Sequence, residues 1–261
     1  MKKLISIILL LYISANAFAQ TERVKNLTTF DDKQLHFGFT IAINTMDFRI
    51  QHYRPIGTNP DVGMGWESSS FTNPDGHQID FNDTIQADVA EQVPGLTVGI
   101  VTSLRLGEYF DLRFLPGLSF GERRLVYNVP VYDRNSNNAA LTSYYSVKST
   151  YIDLPLLIKY KSSRLNNQRP YLVAGPAYRI DISKTGEEDL VQVKKGGFYI
   201  EAGIGWDSYL RFFRLSTELK VSIGLGDLLG DAPDGTLQRQ YYSTAIKKLS
   251  SNIFTLSFHF E

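Results

Sequence analysis

Along most of the chain, hydrophobic and polar residues alternate one for one, the period of a strand with one greasy and one polar face. In Arg214–Leu225, Leu215, Thr217, Leu219, Val221, Ile223 and Leu225 share one face, while Arg214, Ser216, Glu218, Lys220, Ser222 and Gly224 share the other. In 198–207, Phe198, Ile200, Ala202, Ile204 and Trp206 oppose Tyr199, Glu201, Gly203, Gly205 and Asp207. In 253–260, Phe254, Leu256, Phe258 and Phe260 oppose Thr255, Ser257 and His259. Weaker versions recur upstream, as in Ile152–Tyr160, Leu96–Leu106 and Phe110–Phe120, and around Phe37–Ile43 and Leu172–Ile180. The pattern predicts eight strands, roughly 36–53, 95–106, 110–127, 143–161, 169–182, 198–210, 213–224 and 252–260. The fold class expected is all-β, an eight-stranded antiparallel transmembrane β-barrel with long extracellular loops and short periplasmic turns.

The connections carry separate information. Long ones at 54–94, 128–142, 183–197 and 225–251 alternate with short ones at 107–109, 162–168 and around Arg211. An even strand count, with long loops on one side and short turns on the other, suits an outer-membrane barrel. Alternation alone allows either polarity: charges outside in a soluble barrel, inside in a membrane barrel.

The first residues favour the membrane version. Lys2 and Lys3 precede an apolar run from Leu4 to Ile13, and Ala17-Phe18-Ala19 fits a cleavage site. This reads as a signal peptide over 1–19, too short in its apolar part to span a bilayer as a helix. A periplasmic segment over 20–35 and a barrel over 36–261 complete the expected layout. The last strand is amphipathic and aromatic, as in outer-membrane barrels, although Glu261 follows the final Phe. Cysteine is absent, which excludes a lipoprotein anchor, disulfides and thiolate metal sites. Lysine plus arginine and aspartate plus glutamate number 27 each, or 25 against 27 without Lys2 and Lys3. No basic surplus points to nucleic acid. The partner expected of the apolar faces is outer-membrane lipid.

With the apolar faces outward, Arg105, Arg113, Arg123, Lys159, Arg179, Lys220, Asp111, Asp153, Glu201, Asp207 and Glu218 point inward. Eight strands leave an interior just wide enough for side chains. Charges held there must pair, so an occluded, ion-paired lumen is expected rather than a pore. Gly203 and Gly205 read as relief of inward crowding, and Pro116 and Pro155 as bulges. His36 and His259, on the inward faces of the first and last strands, are expected to bond each other where the barrel closes.

Several stretches resemble a known family. Asn26-Leu27, Phe30-Asp31, Leu35-His36-Phe37-Gly38-Phe39-Thr40 and Asn44-Thr45-Met46-Asp47-Phe48 look like the start of the PorT/SprT proteins of Bacteroidetes. The likeness continues through Pro94-Gly95-Leu96, Leu104-Arg105-Leu106 and Leu112–Gly121. Tyr151–Tyr160 and Arg169–Pro176 resemble the wider outer-membrane barrel domain of that phylum. The resemblance implies a non-enzymatic component of the type IX secretion system, working with other components of that system. It implies a role in export of sorting-domain cargo, and in gliding motility in gliding relatives.

Candidate chemistry is sparse. His36, His52, His77 and His259 have no metal-ligand spacing, and no catalytic, cofactor or metal residues are assigned. Asp227, Asp231 and Asp234 lie in a Gly-rich loop that matches no EF-hand. The 54–94 loop holds Trp66, Phe71, His77 and Phe81 and suits either a docking surface or a flap. A small porin-like transport barrel and an outer-membrane surface hydrolase are the alternative functions.

Overall fold

The computed structural model describes residues 26–60, 70–72, 78–80, 82, 84–133, 136–183, 191, 193–230 and 245–261; the expected signal peptide at 1–19 lies outside them. The strands are β1 (Leu35–His52), β2 (Ser70–Thr72), β3 (Gln78–Asp80), β4 (Gln86–Arg105), β5 (Phe110–Phe114), β6 (Gly117–Asp133), β7 (Ser136–Lys161), β8 (Gln168–Asp181), β9 (Gly196–Tyr209), β10 (Arg214–Gly224) and β11 (Ile246–Phe260).

All ladders are antiparallel, and β1 pairs with both β11 and β4, so the sheet closes on itself. β5 and β6 are two stretches of one stave, both lying between β4 and β7. The ring therefore has eight staves. Full closure leaves no free edge within the ring. At the closing seam Phe39 stands opposite Phe260, with rings stacked 4.7 Å apart.

Burial settles the polarity. Phe37, Ile43, Ile100, Leu172, Phe198 and Ile204 are all more than half exposed, while Arg113, Arg123, Lys159, Glu201 and Glu218 are fully buried. This inversion of the soluble pattern is that of a membrane barrel. On β1 the outward apolar run ends at Ile43 and gives way to Asp47, Arg49 and Gln51. On β6 it ends at Phe120 and gives way to Glu122 and Arg124. A tilted strand crosses a bilayer in about 9–11 residues. The 20 residues of β4 and 26 of β7 therefore continue past the apolar belt on the long-loop side.

Those extensions correct three expectations. The second stave starts at Gln86, not 95, because Pro94 and Gly95 do not open a strand. They form a bulge, where the β4–β6 register slips between Val93 and Leu96. Gly95 fits there because a Cβ would collide with the Phe120 carbonyl. The long loop expected at 128–142 is instead the upper part of the β6–β7 hairpin. Beyond the belt neither face need be greasy, so the period-2 signal fades although the strands continue. Within 54–94, β2 and β3 form a hairpin joined to β6 through Gln78 and Tyr132; Trp66, His77 and Phe81 lie outside the described residues.

The prolines also depart from expectation. Pro116 separates β5 from β6, yet pairing with β4 and β7 resumes in the same register on either side. At Pro155 the β7–β8 register is likewise unbroken. Each proline removes a ladder donor without adding a residue, so neither makes a bulge.

Candidate functional site: a filled lumen closed at both ends

Because side chains alternate along each stave, every second residue is delivered to the interior. Near the short turns this places Arg113 against Glu218 at 3.0 Å and Glu261 at 3.2 Å, and Lys159 against Asp207 at 2.7 Å. Lys161 reaches Asp111 at 2.6 Å, and Arg214 binds Glu261. The Tyr171 hydroxyl donates to Glu218 at 3.0 Å, and its ring lies 3.7 Å from the Lys159 ammonium. A Cβ at Gly205 would strike that ring, so this glycine does make room in the lumen.

One level higher, Arg179 bridges Asp153 at 2.8 Å and Glu201 at 2.6 Å, and Lys220 meets Glu201 at 2.7 Å. A cavity of about 40 Å³ beside these groups is lined by Thr40, Asp153, Arg179, Lys220 and His259 among others. At about 10–15 Å³ of such space per water, it holds a few waters and no larger solute. Arg123 lies above, bonded to Ser149 at 3.0 Å and Ser251 at 2.8 Å, with the Phe48 ring 4.1 Å away. Among the described buried lysines and arginines, it is the one with no carboxylate within 4 Å.

Both ends are covered. At the long-loop end Phe48, Ile56, Ile85, Leu125, Tyr127, Val191, Ile246 and Leu249 form an apolar cluster across the interior. At the short-turn end the segment before β1 folds into the mouth. Phe30 stacks on His36 at 4.1 Å and lies 4.7 Å from the Arg214 guanidinium. Asp31 accepts from Tyr209 at 2.9 Å and Arg169 at 3.1 Å. Arg164, in the β7–β8 turn, donates to the Leu27 carbonyl at 3.1 Å, and Asn26 donates to the Tyr209 carbonyl at 3.0 Å.

All the expected inward charges face the interior, with Arg105 half-buried near the mouth, where it donates to the Gly107 carbonyl. The proposed histidine pair does not form. The seam register sets His259 opposite Thr40, whose hydroxyl is 2.7 Å from its Nδ1, while His36 lies beyond the end of β11 and meets Phe30. Residue spacing gives the face of a strand but not the stagger between its two ends. Arg169, Arg214, Lys161 and Glu261 are further members of the network that the same alternation could have identified. Glu261 follows outward Phe260 and so turns inward, where its side chain is buried between Arg113 and Arg214.

Outside the belt, His52 ties the top of β1 to β4: the Ala87 backbone N–H donates to its Nε2 at 2.8 Å. Burial lowers its pKa from the ordinary 6.5 and keeps it neutral, with that nitrogen free to accept. His52 also lines a rim cavity of about 280 Å³ with Arg54, Gln86, Asp88 and Asn128. In the acidic loop, the Asp227 carboxylate accepts the N–H groups of Leu229 and Leu249; Asp231 and Asp234 lie outside the described residues. No cluster suited to a metal ion occurs among the described residues.

No curated protein matches the chain. A family model described as the outer membrane protein beta-barrel domain matches residues 18–230. That stretch runs from before the mouth plug through the end of β10. The match agrees with the closed eight-stave ring, the outward apolar belt and the buried charges. The chain belongs to the outer membrane protein beta-barrel domain family, and its place is the outer membrane.

Proposed function

We propose that this barrel is a non-enzymatic outer-membrane component of the type IX secretion system, supporting export of sorting-domain cargo. In gliding relatives the same role would extend to motility. The reading rests on the resemblance of Asn26-Leu27, Phe30-Asp31, Leu35–Thr40 and Asn44–Phe48 to the start of PorT/SprT proteins. What those residues do in the fold adds support. Asn26, Phe30, Asp31 and His36 build the plug at the short-turn mouth, on the side where short turns face the periplasm. A plugged, ion-paired interior suits a scaffold that acts through its rims. It counts against the porin-like alternative, because a solute would have to displace buried salt bridges.

The test is genetic. Deleting the gene is expected to trap sorting-domain cargo in the periplasm while other barrels assemble normally. The wild-type gene should restore secretion. Normal cargo secretion in the deletion strain would overturn the assignment.

A further inference from the structure

Among the described residues, the outer rim above the apolar belt is electrostatically two-sided. On the β4–β6–β7 flank the exposed charges compensate each other: Arg124 pairs with Glu91 at 2.6 Å and Glu122 at 3.3 Å, and Ser146 donates to Glu122 at 2.8 Å. The flank running from β9 through β11 to β1 is different. Lys194, Lys195, Lys247, Lys248 and Arg49 are all exposed there, and none forms an ion pair with a carboxylate among the described residues.

Backbone bonds join these residues into one strip. The Lys194 N–H donates to the Leu228 carbonyl at 2.8 Å, and the Leu228 N–H donates to the Leu249 carbonyl at 2.7 Å. Leu249 pairs with Ile50, and Ser250 with Arg49. Two described acids border the strip: Asp227 in its middle, one of whose oxygens already accepts two backbone N–H groups, and Asp47, two residues from Arg49 on the outward face of β1. Below lie Phe198, Ile223, Leu225 and Phe254, exposed apolar residues of the belt, with Ser250 and Asn252 between Lys248 and Phe254 on the same face of β11.

We infer that this strip binds the phosphate groups of lipid in the long-loop leaflet. A ligand there must be both anionic and greasy, because the cations stand on the edge of the lipid-facing belt. Phosphates would meet Lys194, Lys195, Lys248 and Arg49 while acyl chains cover Phe198, Leu225 and Phe254. Lysine rather than paired arginine suits this role, since an ammonium binds phosphate as a point charge without a fixed fork. The strip makes the barrel's lipid shell asymmetric, with phosphate-rich lipid held along one flank. The inference does not depend on the secretion role.

The full-length protein in nanodiscs of neutral phosphatidylcholine, doped with a small fraction of bis-phosphorylated lipid A, tests it by native mass spectrometry. Dephosphorylated lipid A and inorganic phosphate serve as separate arms. Retention of the phosphorylated lipid is expected, with weak retention of its dephosphorylated form and none of free phosphate. A basic residue near an anionic surface contributes about fivefold in affinity. The triple variant Lys194→Gln, Lys195→Gln, Lys248→Gln should therefore lose about a hundredfold. Arg124→Gln with Lys148→Gln, on the opposite flank, should change retention little. Circular dichroism of each variant checks that the barrel has formed. Equal retention by the wild type and the folded triple variant would overturn the inference, as would equal retention of the two lipids. Binding of free phosphate alone would overturn the lipid assignment.

Discussion

Glu218 is the residue on which the lower lumen converges. It accepts from Arg113 and Tyr171 and faces His259 Nε2 at 3.6 Å, with no exposed surface of its own. Removing one partner of a buried ion pair costs about 3–5 kcal/mol, because the other charge stays behind unpaired. Glu218→Ala should therefore destabilise the barrel by that amount in urea titrations of protein refolded into lipid. Arg123→Met should cost clearly less, since Arg123 leaves hydroxyls and rings behind rather than a carboxylate. Equal losses in the two variants would contradict the ion-paired lumen. The buried charges were legible in the sequence because alternation assigns each residue a face. The hydroxyls and rings around Arg123 were not, because they come from β1, β7 and β11, and their meeting depends on register.

Among the elements, the tops of β1 and β4 depend most on conditions. Their backbone ladder ends at Thr45 and Pro94, just where β4 bulges, and His52 reattaches the two strands by accepting from Ala87. Its pKa is lower folded than unfolded. The stability it contributes is therefore complete above the unfolded value of 6.5 and falls as pH drops through that value. The loss levels off once pH is below the folded value. The protection factor of the Ala87 amide, its exchange rate relative to the intrinsic rate at the same pH, should fall as pH drops over that window, and the change should disappear in His52→Gln. A loss of protection that persists in His52→Gln would place the pH sensitivity elsewhere. The staves were legible inside the belt, where one face must be greasy. Their upper extensions were not: Gln86–Val93 and the upper β6–β7 hairpin lack that constraint, and Pro94-Gly95 imitates a strand start. The mouth plug was also hidden, since a short 3-10 turn at Phe30–Asp32 has no periodicity to read.

At the scale of the whole molecule, the barrel is a solid post. An apolar cluster closes the long-loop end, salt bridges fill the middle, and the segment before β1 closes the short-turn end. The cavity beside Arg179 and Lys220 in the middle measures about 40 Å³. Such a molecule can act through its plugged mouth, its extended hairpins and its rim, but not by passing solute along its axis. Secretion assays on the deletion strain test the proposed export role, and lipid retention by the rim variants tests the outer rim. The most direct measurement of the central claim is single-channel recording of the purified full-length protein in planar bilayers. The filled lumen predicts no steady conductance at moderate voltage. A stable ohmic pore carried by the correctly folded protein would contradict it.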